Sequence, residues 1–501
     1  MLDAGLEVEP ERARIVREMG ATEPSEWPAG HVAQIKEGMD GSGERIPLKL
    51  AFGSDYAYRE AGEHTPWRSN GAAIRPSLAL GGLSTVWGAA MLPFRDADLE
   101  GWPVKSAQLA RHYREVLDFM DLAGARDDLD GHFPLYCENP GALAASGQAG
   151  ALLKKLERHR ERLRREGWCF GRARVAVRAA DSRRGRGCLR CRMCLYGCPY
   201  GCIYNSADTV AEMLVGRGFS YRKDVIVTRL REGAGKVSIS GYDRRTGEPL
   251  GFEAERVYLA AGIVPTTQIL LRSQGAYDRP VQAHDSQYYM FPLFTARRLK
   301  GAQTEAAYTL SQLFIEMFEP RGVPHAVHLQ IYSCNEIIAQ AVRRSLGWFG
   351  CFAGAVAERT LIAQGYLHSE DSPKIEMTLR REGAKDYLEL DVVANPRSKE
   401  FVQRVMREFG RQARQLGAMP LASMLQLASP GQGFHSGGTF PMREQPKEFE
   451  SDCLGRPRGW SRVHAVDATV FPSVPATTIT FPVMANAHRI GWEAASNDLP
   501  A

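Results

Sequence analysis

Val257-Tyr258-Leu259-Ala260-Ala261-Gly262, running on to Pro265-Thr266-Thr267, decides how this chain is read. Apolar residues make a short strand, glycine makes a turn, and a helix begins. Such a junction belongs to an α/β fold, in which ligands collect at the carboxyl ends of the strands.

Upstream, Gly81-Gly82-Leu83-Ser84-Thr85-Val86-Trp87-Gly88-Ala89 combines flexible backbone points with small side chains, so it can press close to a flat ring. Downstream stand His435-Ser436-Gly437-Gly438-Thr439, Val463 to Pro472, and Thr477 to Ala485. Between these landmarks the pattern predicts further elements. Met1 to Gly5 reads as a strand end, and Pro10 opens a helix, where its missing N–H is harmless. Residues 41–75 read as polar loop. Helical spacing covers Ser106 to Leu122, with Leu109, Tyr113, Val116, Leu117 and Met120 on one side, and a very basic helix covers 149–166. Short β runs fill 225–260, and helix returns at Thr266 to Leu271. Alternating runs at 308–318, 325–332, 374–379 and 387–393 predict a large antiparallel sheet, followed by a helix near 397–416.

The 501 residues are 44% hydrophobic and 24% charged, ordinary for a globular protein with room for a large core. Net charge is +5, with the excess concentrated between Lys154 and Arg192. That run reads first as a solvated helix face and second as a docking patch for an acidic partner. No aromatic-interleaved basic module accompanies it, so nucleic acid is not expected. No apolar run reaches about 18 residues, so no membrane span is expected. Five of the ten cysteines lie between 188 and 202. This is not the framework of a small secreted domain, and it points to a metal site in a reducing, cytoplasmic compartment unless an export signal lies upstream.

Within that block, Cys188-x2-Cys191-x2-Cys194-x3-Cys198-Pro199 has the bacterial ferredoxin spacing. One tight loop can turn such thiolates toward a common centre, and thiolates suit iron and sulfide. The expected ligands are Cys188, Cys191, Cys194 and either Cys198 or Cys202, around a 4Fe-4S or 3Fe-4S cluster. Structural zinc accepts similar spacings, and unmetallated cysteines are the third reading. Cys137, Cys169, Cys334, Cys351 and Cys453 are scattered and read as small buried hydrophobes.

Taken together, the three glycine-bearing segments resemble the glucose–methanol–choline (GMC) oxidoreductase family. Gly81-Gly82-x-Ser84 looks like its flavin-contacting signature. Ala261-Gly262-x3-Thr266, closing with Leu270-Leu271-Arg272-Ser273, is similar to its second. His435-x2-Gly438-Thr439 with Val466-Asp467-Ala468-Thr469-x2-Phe471-Pro472 looks like its C-terminal text. The resemblance implies an α/β fold: a Rossmann-like FAD-binding domain plus a substrate domain built on the antiparallel sheet and helices. The FAD-binding parts are 1–140, 207–285 and 425–501, with a cysteine-bearing insert at 141–206 and the substrate domain at 286–424. It implies FAD contacts from Asp3, Gly81, Gly82, Ser84, Thr85, Trp87, Gly88, Ala261, Gly262, Asp467 and Ala468. It places His435 as the base beside flavin N5 and Thr478 at the second catalytic position, usually His or Asn. Threonine there is a departure, since it cannot act as a base near neutral pH. The implied reaction is hydride removal from a CH–OH group of an alcohol or sugar, with electrons leaving through the cluster to a protein or quinone acceptor. The alternatives are an oxygen-using oxidase with zinc or free cysteines, and a non-catalytic electron-transfer or scaffold subunit.

The ribose-binding acid of a dinucleotide fold lies about 20 residues past its glycine loop. With Asp3 as that acid, the loop is expected upstream of Met1. As written, the chain is expected to hold FAD poorly.

Overall fold

A computed structural model describes residues 1–38, 48–318, 325–383 and 385–496. Part of the loop expected over 41–75 therefore lies outside the described residues.

A seven-stranded sheet forms one wall of the molecule. Its order is Ala418–Pro420, Tyr288–Thr295, Thr360–Tyr366, Val327–Tyr332, Leu313–Met317, Trp168–Arg172, with Gln426–Leu427 also on Tyr288–Thr295. Every pairing in it is antiparallel. All residues of Val327–Tyr332 are buried, and the strand's period of two sorts them between its faces. Val327, Leu329 and Ile331 join an apolar core with helices Gly147–Arg158 and Arg397–Arg411. His328, Gln330 and Tyr332 turn the opposite way. Helix Arg397–Arg411 seals the apolar face because Phe401, Val402, Val405, Met406 and Phe409 recur at helical spacing. Phe409 meets Phe291 edge-on at 5.5 Å and Trp168 at 4.8 Å.

The alternating runs do not all enter this sheet. Lys374–Glu382 and Lys385–Val393 form a hairpin in a second, five-stranded sheet with Trp67–Asn70, Pro280–Asp285 and Ser436–Gly437. Alternation reports a half-buried strand but not which sheet it joins. The run from Tyr308 is strand only over Leu313–Met317. Its first part wraps the cysteine loop, where Ala307 bridges Cys191 and the Thr309 N–H reaches Cys194 Sγ at 3.4 Å.

On the opposite side, Val257–Leu259 pairs in parallel with Val463–Ala465. Helix Ile263–Gln274 follows, buried over most of its length. Leu2 and Leu6 make isolated parallel bridges to Arg222 and Ala79. Val225–Glu232, Val237–Asp243 and Pro249–Ala254 form an antiparallel meander. Helix Pro10–Ala21 has proline in its first turn, as its sequence predicts. Helix Ser106–Phe119 buries Leu109, Tyr113 and Val116, and Tyr113 packs on Phe481 at 4.5 Å. The basic helix expected over 149–166 is two helices, Gly147–Arg158 and Arg160–Arg165, meeting at His159. Part of its charge is met within the chain, since Arg160 and Arg164 both pair with Asp128. Among the described residues no helix is long and apolar enough to cross a membrane.

Phe409→Ala would open a cavity between helix and sheet. The expected loss is about 3–5 kcal/mol, read as a lower urea midpoint.

Candidate functional site

Between the polar face of the large sheet and the Gly81–Ala90 segment lies a cavity of about 810 Å³. Four distant parts of the chain meet there. The first is the glycine turn. Gly81 (φ +90°) and Gly82 (φ +54°) are left-handed, and a Cβ on Gly81 would fall 2.2 Å from Asn205 Oδ1. Only glycine fits. Ser84 Oγ and Ser206 Oγ both donate to Gly81 O, at 2.5 and 2.9 Å. The turn leads Ser84, Trp87 and Gly88 into the cavity wall. Trp87 is held by its indole N–H on Tyr204 O at 2.8 Å and by Lys49 Nζ on its own carbonyl at 2.9 Å.

His435 comes from the opposite wall. Ser436–Gly437 pairs with the end of Pro280–Asp285, and the Ser286 N–H donates to His435 O at 2.9 Å. The imidazole stacks on Tyr366, centroids 4.1 Å apart and planes 21° from parallel. Its Nδ1 is buried with no hydrogen-bond partner. Burial, with His328 adding to it, pushes His435 down to about 3. The ring is therefore neutral throughout the physiological range, whereas a free histidine titrates near neutrality.

Thr478 enters from the C-terminal segment. Its Oγ1 accepts the Leu92 N–H at 2.8 Å. This bond ties the glycine segment to the C-terminus and leaves the threonine O–H as its remaining donor.

The sheet supplies the fourth part. Gln330, Gln364, Tyr332 and Tyr366 project into the cavity, joined by Gln426, whose Oε1 is buried and unpartnered. Tyr332 O–H donates to Gln330 Oε1 at 3.0 Å, the Gln330 amide lies 3.3 Å from His328 Nε2, and His328 Nδ1 lies 2.6 Å from Glu316 Oε1. A carboxylate only accepts, so this chain runs one way, from Tyr332 to Glu316. Tyr332 thus spends its proton inward and offers lone pairs to the cavity. These residues escaped the sequence reading. The signal was present as polar residues at every second position of Val327–Tyr332.

The structure thus brings Ser84, Trp87, Gly88, His435 and Thr478 together. Asp3, Gly81, Gly82, Thr85, Ala261, Gly262, Asp467 and Ala468 are not in this cavity's wall. Asp467 sits behind it as a strut. It accepts from Gly262 N–H (2.9 Å), Thr266 Oγ1 (2.6 Å), and both N–H (3.0 Å) and Oγ1 (2.6 Å) of Thr469. Asp3 accepts from the Tyr221 hydroxyl at 3.0 Å, and burial raises its carboxyl pKa.

Next to the large cavity, Cys188, Cys191, Cys194, Cys198 and Cys202 line one small enclosed space with Tyr308. Left-handed Arg190 and Arg192 and Gly197 (φ +104°) bend the loop around it. Arg192 fastens it outward to the carbonyls of Glu305 and Cys334. The Cys202 N–H reaches Cys198 Sγ at 3.3 Å. The Cys202 thiol, with further N–H groups of Cys202, Tyr200 and Ile203, pulls Cys198 down to about 6. Burial pushes Cys188 and Cys191 up to about 12. The Cys202 thiol itself reaches Arg186 O at 3.3 Å. Among the described residues, His325, His368 and Glu370 bring ligand atoms within 4.8 Å of one another. The two rings there stack at 3.9 Å and 11°. Near-parallel planes that far apart cannot both contain one metal ion.

The two spaces are linked by chain neighbours. Leu195, adjacent to Cys194, lines the large cavity, as does Lys49. Burial pushes Lys49 down to about 8, against the pull of Cys194 and Cys198.

No family model matches the sequence, and no curated protein does. Among solved structures, the crystal structure of pyridoxine 4-oxidase from Mesorbium loti is similar, with a TM-score of 0.60 and 14% identity. The match covers 99% of this chain and 94% of that one. The two chains share a fold. The α/β architecture expected from the sequence, with its large antiparallel sheet, is therefore present along the chain.

In metal-free protein, Cys198 should ionise before Cys188 and Cys191, read as the first ultraviolet thiolate step of the loop, which Cys198→Ser abolishes.

Proposed function

We propose that this chain is a flavin-dependent oxidoreductase that oxidises a CH–OH group of a small alcohol or sugar. The observation that carries the reading is the single cavity joining the Ser84–Gly88 segment to an imidazole with an unpartnered nitrogen. The residues present fit a flavin. Small side chains at Gly88, Ala89 and Ala90 leave a face open to a flat ring, and buried polar atoms of His435 and Gln426 await partners. Ser84, Trp87 and Gly88 would hold the ring, and bound FAD supplies the hydride acceptor.

The chain's own residues do the rest. His435, clamped by Tyr366, holds a neutral imidazole that can receive the hydroxyl proton. Because burial makes it a weak base, it takes that proton only as the carbon is oxidised and does not preform an alkoxide. Tyr332 accepts a hydrogen bond from a substrate hydroxyl, and the amides of Gln330, Gln364 and Gln426 can pair with others. The sheet behind them keeps bulk water from this face.

We further read Cys188, Cys191, Cys194 and Cys198 as ligands of an iron–sulfur cluster that carries electrons onward to a protein or quinone acceptor. The ferredoxin spacing of these cysteines and their gathering around one small space beside the larger cavity support this. A second reading is favoured by the fold neighbour, which is named as an oxidase: oxygen itself takes the electrons, and the cysteines carry none.

His435→Ala should lower dye-linked alcohol or sugar oxidation by about 10²–10⁴-fold when compared at equal flavin content. Unchanged turnover would remove the imidazole from its role. Because the depressed pKa keeps His435 neutral as pH falls through 6.5, kcat should show no acid limb from this group until near pH 3. Anaerobically purified protein should contain iron and acid-labile sulfide in near-equal amounts. Zinc or bare cysteines, with rapid peroxide formation, would favour the oxidase.

A further inference from the structure

Glu316 is buried in the large sheet and forms no part of the site cavity's wall. It stands directly across from His328 where Leu313–Met317 pairs with Val327–Tyr332, so the two side chains share one face of the sheet. Its Oε1 lies 2.6 Å from His328 Nδ1. Phe314 meets the imidazole edge-on at 4.9 Å and fixes its plane. On its outer side Glu316 borders a second cavity, of about 290 Å³, together with Arg95. Against burial, Asp98 and then Glu316 hold the pKa of that guanidinium up.

The other end of the row lies at the site. Gln330 turns its amide nitrogen to His328 Nε2 at 3.3 Å and its oxygen to the Tyr332 hydroxyl at 3.0 Å. An amide nitrogen only donates, so Nε2 must be bare and the imidazole proton must sit on Nδ1, facing Glu316. Tyr332 Oη looks across at the glycine segment, where a Cβ built on Gly88 would fall 3.5 Å from it. With its proton spent on Gln330, it can only accept from a molecule in the cavity.

We infer that Glu316 is a positioning residue: through His328 and Gln330 it fixes the hydrogen-bond polarity of the cavity wall at Tyr332, so that this wall takes hydroxyl groups and rejects carbonyl oxygens. A hydroxyl can donate to Tyr332, whereas a carbonyl placed there sets two acceptors face to face, and an unmade hydrogen bond is costly when buried. The selectivity has a consequence that rests on the oxidoreductase reading. Oxidation turns the one group into the other, so wherever the reacting oxygen faces Tyr332 the wall holds the alcohol and releases its aldehyde or ketone. The carboxylate is decisive because it has no proton to give. Glutamine at 316 can either accept from Nδ1 or donate to it, and in the second case the imidazole proton moves to Nε2, Gln330 turns over, and the Tyr332 hydroxyl points into the cavity.

Two readouts on the full-length chain test this. The first is the nitrogen-15 spectrum of histidine-labelled protein, with His328 assigned by its loss in His328→Asn. Wild type should show His328 as the neutral Nδ1–H form alone, and Glu316→Gln should populate Nε2–H as well. The second is the relative affinity for cyclohexanol and cyclohexanone, read anaerobically by ligand-observed NMR. The preference of wild type for the alcohol should exceed that of Tyr332→Phe by about fivefold, the worth of one hydrogen bond. Glu316→Gln should lose most of that margin, and adding Glu316→Gln to Tyr332→Phe should change nothing further. An imidazolium or Nε2–H form of His328 in wild type would overturn the inference. So would an alcohol preference that Glu316→Gln leaves intact, or one that it alters equally without Tyr332's hydroxyl. Neither readout needs turnover, so a chain that oxidises no alcohol would sink the redox reading while the polarity of the row stands or falls on these two measurements.

Discussion

The site depends on how the central strand Val327–Tyr332 divides its side chains. Helix Arg397–Arg411 covers one face of the large sheet with Phe401, Val405 and Phe409, so Val327, Leu329 and Ile331 must point toward it. The period of two then commits His328, Gln330 and Tyr332 to the other face. Burying those polar groups is costly unless each finds a partner. The run from Tyr332 through Gln330 and His328 to Glu316 meets that requirement within the sheet. A slip of one residue would put the polar row into the helix core and the aliphatic row into the cavity.

The opposite wall is held by backbone necessity. Gly81 and Gly82 adopt conformations that other residues resist, and Asn205 occupies the place of a Cβ at Gly81. The Leu92–Thr478 bond then joins this wall to the C-terminal segment, which is why a threonine at a position read as catalytic also has a structural duty. Asp467 behaves similarly. Its four donors clamp the Val463–Ala465 strand end to the start of helix Ile263–Gln274.

Electrostatics separates the roles of like residues. His435 is kept neutral by burial and by His328, while His325, between Asp371 and Glu370, has its pKa raised by those carboxylates against the pull of burial. Among the cysteines, Cys198 gathers several N–H groups and a thiol that hold it down, whereas at Cys188 and Cys191 burial outweighs one backbone hydrogen bond each, from Arg190 and Met193. Lys49, half-buried in the wall of the larger space, favours negative charge on Cys194.

What the sequence determined by itself was local. Proline at residue 10 and the Leu109–Tyr113–Val116 spacing marked helices, glycines 81 and 82 marked a turn, and the cysteine spacing marked a loop that can enclose a centre. Each rests on neighbours within a few residues, where backbone sterics and periodicity act. The family resemblance added that His435 and the glycine turn belong to one site. Tertiary structure alone decided the remainder. It divided the alternating runs between two sheets and set the Glu316–His328–Gln330–Tyr332 row against the cavity. It also gathered backbone N–H groups on Cys198 and put Leu195, the chain neighbour of Cys194, and Lys49 in the wall of the larger space. These outcomes depend on contacts between residues far apart in the chain and on the burial they create, and neither spacing nor composition records either.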